Sequence, residues 1–190
     1  LMLATALHYS HILLKEVLQP GDSAVDATMG NGHDTCFLAE LVGRTGHVYA
    51  FDLQDQALEN TATRLAAAGL TNRVALIHGG HETLSQYIPE TQPIKAAIFN
   101  LGYLPQSDKS VITLPATTRQ ALDALLLRLA PRGRIVLVCY YGHAGGPEEL
   151  ASVRAYCEAL PQEQYNVLNY QFINQKNQPP ILFCIESKPV

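Results

Sequence analysis

Short runs of apolar, β-branched residues alternate along the whole chain with longer stretches whose apolar positions recur every three to four residues. That alternation predicts a largely parallel sheet covered by helices on both faces. Residues 4–18 read as a helix with Leu7, Ile12, Leu14 and Leu18 among its apolar positions, stopped by Pro20-Gly21. Strands are expected over 23–27, 47–51, 73–78, 96–99 and 134–139. Helices are expected over 34–42, 56–68, 117–129 and 148–160, with a short one near Glu82. Gly69 is placed to cap the 56–68 helix, a long loop runs through Pro105 and Pro115, and Pro131-Arg132-Gly133 reads as the turn before the fifth strand. The final third departs from simple alternation: two runs, 165–173 and 181–186, flank Asn174-Gln-Lys-Asn-Gln-Pro-Pro180 and read as a terminal antiparallel hairpin. The expected architecture is α/β and Rossmann-like, a seven-stranded, mostly parallel sheet with a C-terminal antiparallel hairpin.

A length of 190 residues with 47% hydrophobic content predicts a single domain over 1–190 with a substantial core. The formal charge of -4 excludes a global basic footprint, so a nucleic-acid partner would have to be gripped locally. Cys36, Cys139, Cys157 and Cys184 stand far apart without a CxxC pair; they suggest neither a metal site nor a disulfide framework, and predict reduced, mostly buried thiols. No apolar run approaches the roughly 18 residues of a membrane span, and the first residues lack the basic-then-apolar pattern of a secretory signal. A cytoplasmic protein without membrane association is expected.

Candidate chemistry begins at Val25-Asp-Ala-Thr-Met-Gly-Asn-Gly-His-Asp-Thr35, which puts Gly30 and Gly32 where a buried strand turns into a helix. Glycine there permits positive φ and close ligand approach, although Gly-x-Gly alone also suits any tight turn. Asp52, 20 residues beyond Gly32 at the tip of the second strand, adds a carboxylate able to accept both hydroxyls of a ribose. A dinucleotide site wants a third small residue and bare amides for the pyrophosphate, whereas here Thr35 holds that position behind Asp34. A carboxylate at the helix start repels a pyrophosphate and suits an ammonium and a sulfonium; Asp26 adds to that bias. The reading is a site for S-adenosylmethionine, against a nucleotide-binding module without catalysis.

Asp26-Ala-Thr-Met-Gly-Asn-Gly-His-Asp-Thr, Asn100-Leu-Gly-Tyr-Leu-Pro, Tyr141-Gly-His-Ala-Gly-Gly and Asn174-Gln-Lys-Asn-Gln-Pro-Pro resemble, in this order, the signatures of the YtqB/MnmM-like methyltransferases, a family also labelled rRNA methylases. The resemblance runs over nearly the whole chain. It implies a class I S-adenosylmethionine-dependent methyltransferase fold and methylation of the primary amine of 5-aminomethyl-2-thiouridine at the tRNA wobble position. It further implies that Asn31, Asp34, Asp52, Gln54, His81 and Glu82 line the cofactor pocket. For His81 and Glu82, ordinary polarity at a helix start is the plain alternative.

Methyl transfer from a sulfonium needs a neutral nucleophile in line with the methyl group and a dry pocket. Asn100 and Tyr103 follow the fourth strand, beside the first, in a placement that resembles the Asn/Asp-Pro-Pro-Tyr motif of amino methyltransferases with Leu101-Gly102 in place of the prolines. Asn100 would accept a hydrogen bond from the amine and Tyr103 would stack on the base. Asp108 is the candidate for assisting deprotonation, against a solvated Asp108-Lys109 loop pair; Pro105-Gln-Ser-Asp-Lys109 departs from the family's Pro-Gly-Gly-Asp-Lys. His143, Asn174 and Asn177 could wall the pocket for a flipped base, against a plain loop and hairpin turn. Lys109, Arg119, Lys176 and Arg154 are expected near this mouth as phosphate contacts, with His11 facing it as well. A tRNA anticodon loop is the expected partner, with ribosomal RNA or a small-molecule amine as the alternative acceptor, and a homodimer is compatible with the chain.

Overall fold

The computed structural model describes residues 1–102 and 115–189. Seven strands form one sheet: β1 (Ser23–Asp26), β2 (His47–Asp52), β3 (Val74–His78), β4 (Ile94–Leu101), β5 (Leu129–Cys139), β6 (Tyr165–Tyr170) and β7 (Ile181–Ser187). Their order is β3-β2-β1-β4-β5-β7-β6. All neighbours from β3 to β5 are parallel, and β7 pairs antiparallel with both β5 and β6, as the terminal hairpin requires. The chain reverses direction of travel at β1, so β1 and β4 part at their carboxyl ends, where open α/β sheets bind ligands.

Among the described residues, five α-helices cover the sheet: α1 (Ala6–Lys15), α2 (His33–Val42), α3 (Asp55–Ala68), α4 (Pro115–Leu126) and α5 (Gly146–Glu158). Central strands are buried on both faces, which explains their near-continuous apolar runs. Along β4, Ala97, Phe99 and Leu101 enter one core with Leu122 and Leu125 of α4 and Val153 of α5. Ala96 and Ile98 point the other way, packing with Leu14 of α1 and Leu38, Ala39 and Val42 of α2. Each such fully buried Leu or Phe contributes about 1.5–3 kcal/mol relative to exposure. β6 is the exception, with four consecutive exposed positions as an edge strand. No helix among the described residues is long and apolar enough to cross a membrane.

Several boundaries differ from the sequence expectation. Pro115, expected in the loop, opens α4, where a missing N–H costs nothing. α4 ends at Leu126 rather than 129, because Leu129 already pairs with Ile94 as the first residue of β5. Pro131-Arg132-Gly133 is therefore a bulge inside β5 rather than the turn before it: the register jumps from Ile94↔Leu129 to Ala96↔Arg134, and Arg132 takes a φ of 66°. A Cβ on Gly133 would sit 2.8 Å from the Ala130 carbonyl oxygen and 2.9 Å from that of Lys95, so only glycine fits the bulge. The hairpin's first strand ends at Tyr170, leaving 171–173 in the connection. Cys139, Cys157 and Cys184 are buried and Cys36 half-buried, all as free thiols; burial pushes those of Cys157 and Cys184 up to about 12.

Candidate active site

A cleft of about 630 Å³ opens over the carboxyl ends of β1, β2 and β4. The glycine turn forms its floor. Gly30 takes a φ of 52° and Gly32, at the N-cap of α2, a φ of 87°. Gly32 is pressed against α3: a Cβ there would meet Thr61 at 2.9 to 3.0 Å. One face of α3 holds the turn in place, with Thr61 Oγ1 donating to the Gly30 carbonyl (3.1 Å), Asn60 Nδ2 to Asn31 Oδ1 (3.0 Å) and Arg64 Nε to the Asn31 carbonyl (2.9 Å). Sequence reasoning passed over these three, although residues 60, 61 and 64 share a helix face and are polar.

Asp52, half-buried at the tip of β2, accepts from the Gly30 amide (3.1 Å) and the Gln54 amide (3.0 Å). Two of its lone-pair positions remain for a ligand. Gly30, Asn31, Asp52, Gln54, His81 and Glu82 all line the cleft, whereas Gly32 packs against α3 without lining it. Nor do Asp26 and Thr35 line the cleft: both are fully buried beneath it, where Thr35 Oγ1 donates to Asp26 Oδ2 (2.6 Å) and the Thr28 amide to Asp26 Oδ1 (3.2 Å). Burial raises the Asp26 carboxyl to about 7, with the charges of Asp34 and Asp52 adding and the Thr35 and Thr28 bonds opposing. Asp26 thus underpins the turn as a support for its backbone.

His81, only 3% exposed at the start of the 3₁₀ turn His81–Gln86, directs Nδ1 at the Ala27 carbonyl (3.2 Å) and packs edge-on against Phe99. A carbonyl only accepts, so Nδ1 carries the proton and Nε2 presents a lone pair; among the described residues Nε2 is buried without a partner. Burial lowers the His81 pKa, which keeps the ring neutral near pH 7.

At the other end, Asp34 is bound through both oxygens. His11 Nε2 meets Oδ1 at 2.5 Å and Asn100 Nδ2 donates to Oδ2 at 2.5 Å. The Asn100 amide also donates its backbone N–H to Thr28 Oγ1 (2.7 Å). With Nδ2 given to the carboxylate, Asn100 Oδ1 is a second buried acceptor without a partner among the described residues. The bridge from α1 through Asp34 to β4 was not legible in the sequence, since it joins residues 23 and 66 positions apart. Thr117, which was unforeseen, and Tyr140, the first residue of the 140–146 segment expected to wall the base pocket, also line the cleft.

His143 lies against Gly102, whose φ is 81° and whose Cβ would collide with the His143 ring. Asn174 and Asn177 are exposed in the β6–β7 connection, which approaches this region through Gln178, 3.2 Å from where a Cβ of Gly142 would stand. Arg154 packs over the Phe183 ring at 5.2 Å and does not line the cleft. Tyr103, Asp108 and Lys109 lie outside the described residues.

Glycines at positive φ, a strand-tip carboxylate with free lone pairs and two unmatched buried acceptors fit a ligand rich in donors, such as the hydroxyls, amine and ammonium of S-adenosylmethionine. That cofactor supplies an electrophilic methyl group on a sulfonium. Sheet order and site together define a class I S-adenosylmethionine-dependent methyltransferase. The model of the family described as "Putative rRNA methylase" matches residues 48–186, and the chain belongs to that family. It is 39% identical over 189 residues to a chloroplastic tRNA (mnm(5)s(2)U34)-methyltransferase of Arabidopsis thaliana, covering 95% of this chain and 69% of that protein. A crystal structure described as a "putative rRNA-methylase" from Clostridium thermocellum superposes with a TM-score of 0.95 at 45% identity, covering 98% of this chain and 100% of that one. A Streptococcus mutans "putative methyltransferase" in complex with SAH gives 0.89 at 44% identity, covering 98% and 99%.

Proposed function

We propose that this methyltransferase transfers its methyl group to the primary amine of 5-aminomethyl-2-thiouridine at the tRNA wobble position. The observation that carries the reading is Asn100 Oδ1, a buried acceptor at the cleft that no described protein group satisfies. A primary amine supplies the matching N–H, and the bond orients its lone pair away from Asn100, toward the cofactor end. Asn100 itself is held by two hydrogen bonds, to Asp34 and from its own amide to Thr28, so the acceptor is fixed before substrate arrives. The relative from Arabidopsis thaliana, named for this wobble nucleoside, supports the same acceptor. His143, which lies against Gly102, and the exposed Asn174 and Asn177 would receive an anticodon-loop base.

Labelled S-adenosylmethionine, incubated with the protein and with tRNA bearing the aminomethyl group, is expected to label the wobble nucleoside. Ribosomal RNA and an amine metabolite mixture run beside it. Label in either of these, with none in tRNA, would replace the acceptor while leaving the methyltransferase in place.

A further inference from the structure

We propose that His11, on α1, is the base that takes the proton from the acceptor's ammonium, resting on the amine-acceptor reading above. An aliphatic primary amine is mostly protonated near neutral pH and has no lone pair to give until that proton leaves. His11 lines the same cleft as Asn100 and Gly102 and is joined to Asn100 through Asp34. Its side chain is one-third exposed (33%), open to a ligand yet not free to wander. The ring stacks on Phe37 with centroids 3.9 Å apart and planes 8° from parallel, which fixes its plane. Asp34, an acceptor, holds Nε2, so the proton sits on Nε2 and Nδ1 is left as the bare, basic nitrogen. Among the described residues, no protein group takes Nδ1.

The competing groups are less suited. Asp34 has both oxygens engaged, Asp26 is sealed beneath the floor, and His81 stands toward Ala27 and Phe99. His8, one turn earlier on α1, also lines the cleft but has no carboxylate behind it. Groups that can bias His11 electrostatically are Asp34 and His33 on α2, with Asp26 behind Asp34, and His8 and Lys15 on its own helix; Asn100 on β4 is neutral.

The balance closes with one proton. The ammonium N–H bond breaks toward His11 Nδ1, and its electron pair becomes the amine lone pair. That pair forms the new N–C bond while the methyl's bond to sulfur breaks and its electrons remain on sulfur. The product leaves as a secondary ammonium. The proton held by the His11 imidazolium, stabilised by Asp34, passes to water.

His11→Gln keeps a donor for Asp34 and removes the basic nitrogen. Turnover on aminomethyl tRNA, its pH profile, and S-adenosylhomocysteine affinity by calorimetry are measured together for wild type and variant. The expected result is a fall in kcat of about 100-fold or more, within the range of general-base contributions, with affinity for S-adenosylhomocysteine within about threefold of wild type. The variant, left with only the neutral fraction of the amine, should gain rate more steeply than wild type as pH rises. Unchanged kcat and profile in the variant overturn the role of His11 alone. A loss of S-adenosylhomocysteine affinity matching the loss of kcat overturns it too, making His11 a mere support for Asp34. Wild type that leaves the tRNA amine unlabelled overturns the acceptor reading and this assignment with it.

Discussion

Asp26 shows how a residue's chemistry can be legible and its placement not. A carboxylate at the end of β1 was expected to face the cofactor, yet it lies fully buried, satisfied by Thr35 and by the Thr28 amide. Its folded-state pKa of about 7 stands well above that of an unfolded aspartate, so the folded protein prefers the protonated form. The stabilisation is therefore fully present at acid pH and is lost as pH rises toward the folded pKa. Asp26→Asn cannot ionise and escapes this loss. Melting temperatures of both proteins, measured between about pH 5 and about pH 8, should converge or cross in favour of Asn as pH rises. A constant gap across that window would rule out a protonated Asp26. Gly30, Gly32 and Asp52 were readable because backbone conformation and strand ends leave sequence marks. The His11, Asp34 and Asn100 bridge left none, because it depends on how α1 docks.

Elements were legible in type and blurred at their ends. Every strand and helix expected from periodicity is present, but the Pro131-Arg132-Gly133 segment was misplaced because turn residues also make bulges. The end of β4 carries the corresponding prediction. Gly102 follows the strand at a φ of 81°, and a Cβ would collide with His143 and stand 2.6 Å from the Tyr140 carbonyl oxygen. Gly102→Ala must therefore bend a backbone as well as move a ring. Unfolding should show a loss of about 1 kcal/mol or more, the cost of a side chain forced into positive φ. Turnover should fall further than stability suggests, since Asn100 is two residues away and would shift with the strand end. A variant that melts and turns over like wild type would show that His143 and Tyr140 yield freely.

On the scale of the whole molecule, a net charge of -4 with 13 Lys and Arg limits how an RNA can be held. Arg119 and Lys176 are exposed, while Arg154 is spent on Phe183 and Arg134 bridges Glu16 and Glu186 away from the cleft. Lys109 brings the candidate phosphate contacts to three residues. Each contact with a single-stranded loop steepens the dependence of binding on salt by about 0.7 in the log–log slope, so three contacts give a slope near about -2. Affinity for an anticodon stem-loop, titrated across a range of salt concentrations, should follow that shallow slope. Lys176→Ala should flatten it by about 0.7 while leaving S-adenosylhomocysteine binding unchanged. A slope several times steeper would mean that a larger basic surface, such as one completed by a second copy of the chain, grips the RNA. A shallow slope with selective binding would instead place recognition in base contacts near Asn174 and Asn177, the arrangement an acidic enzyme needs to find one loop without clinging to RNA at large.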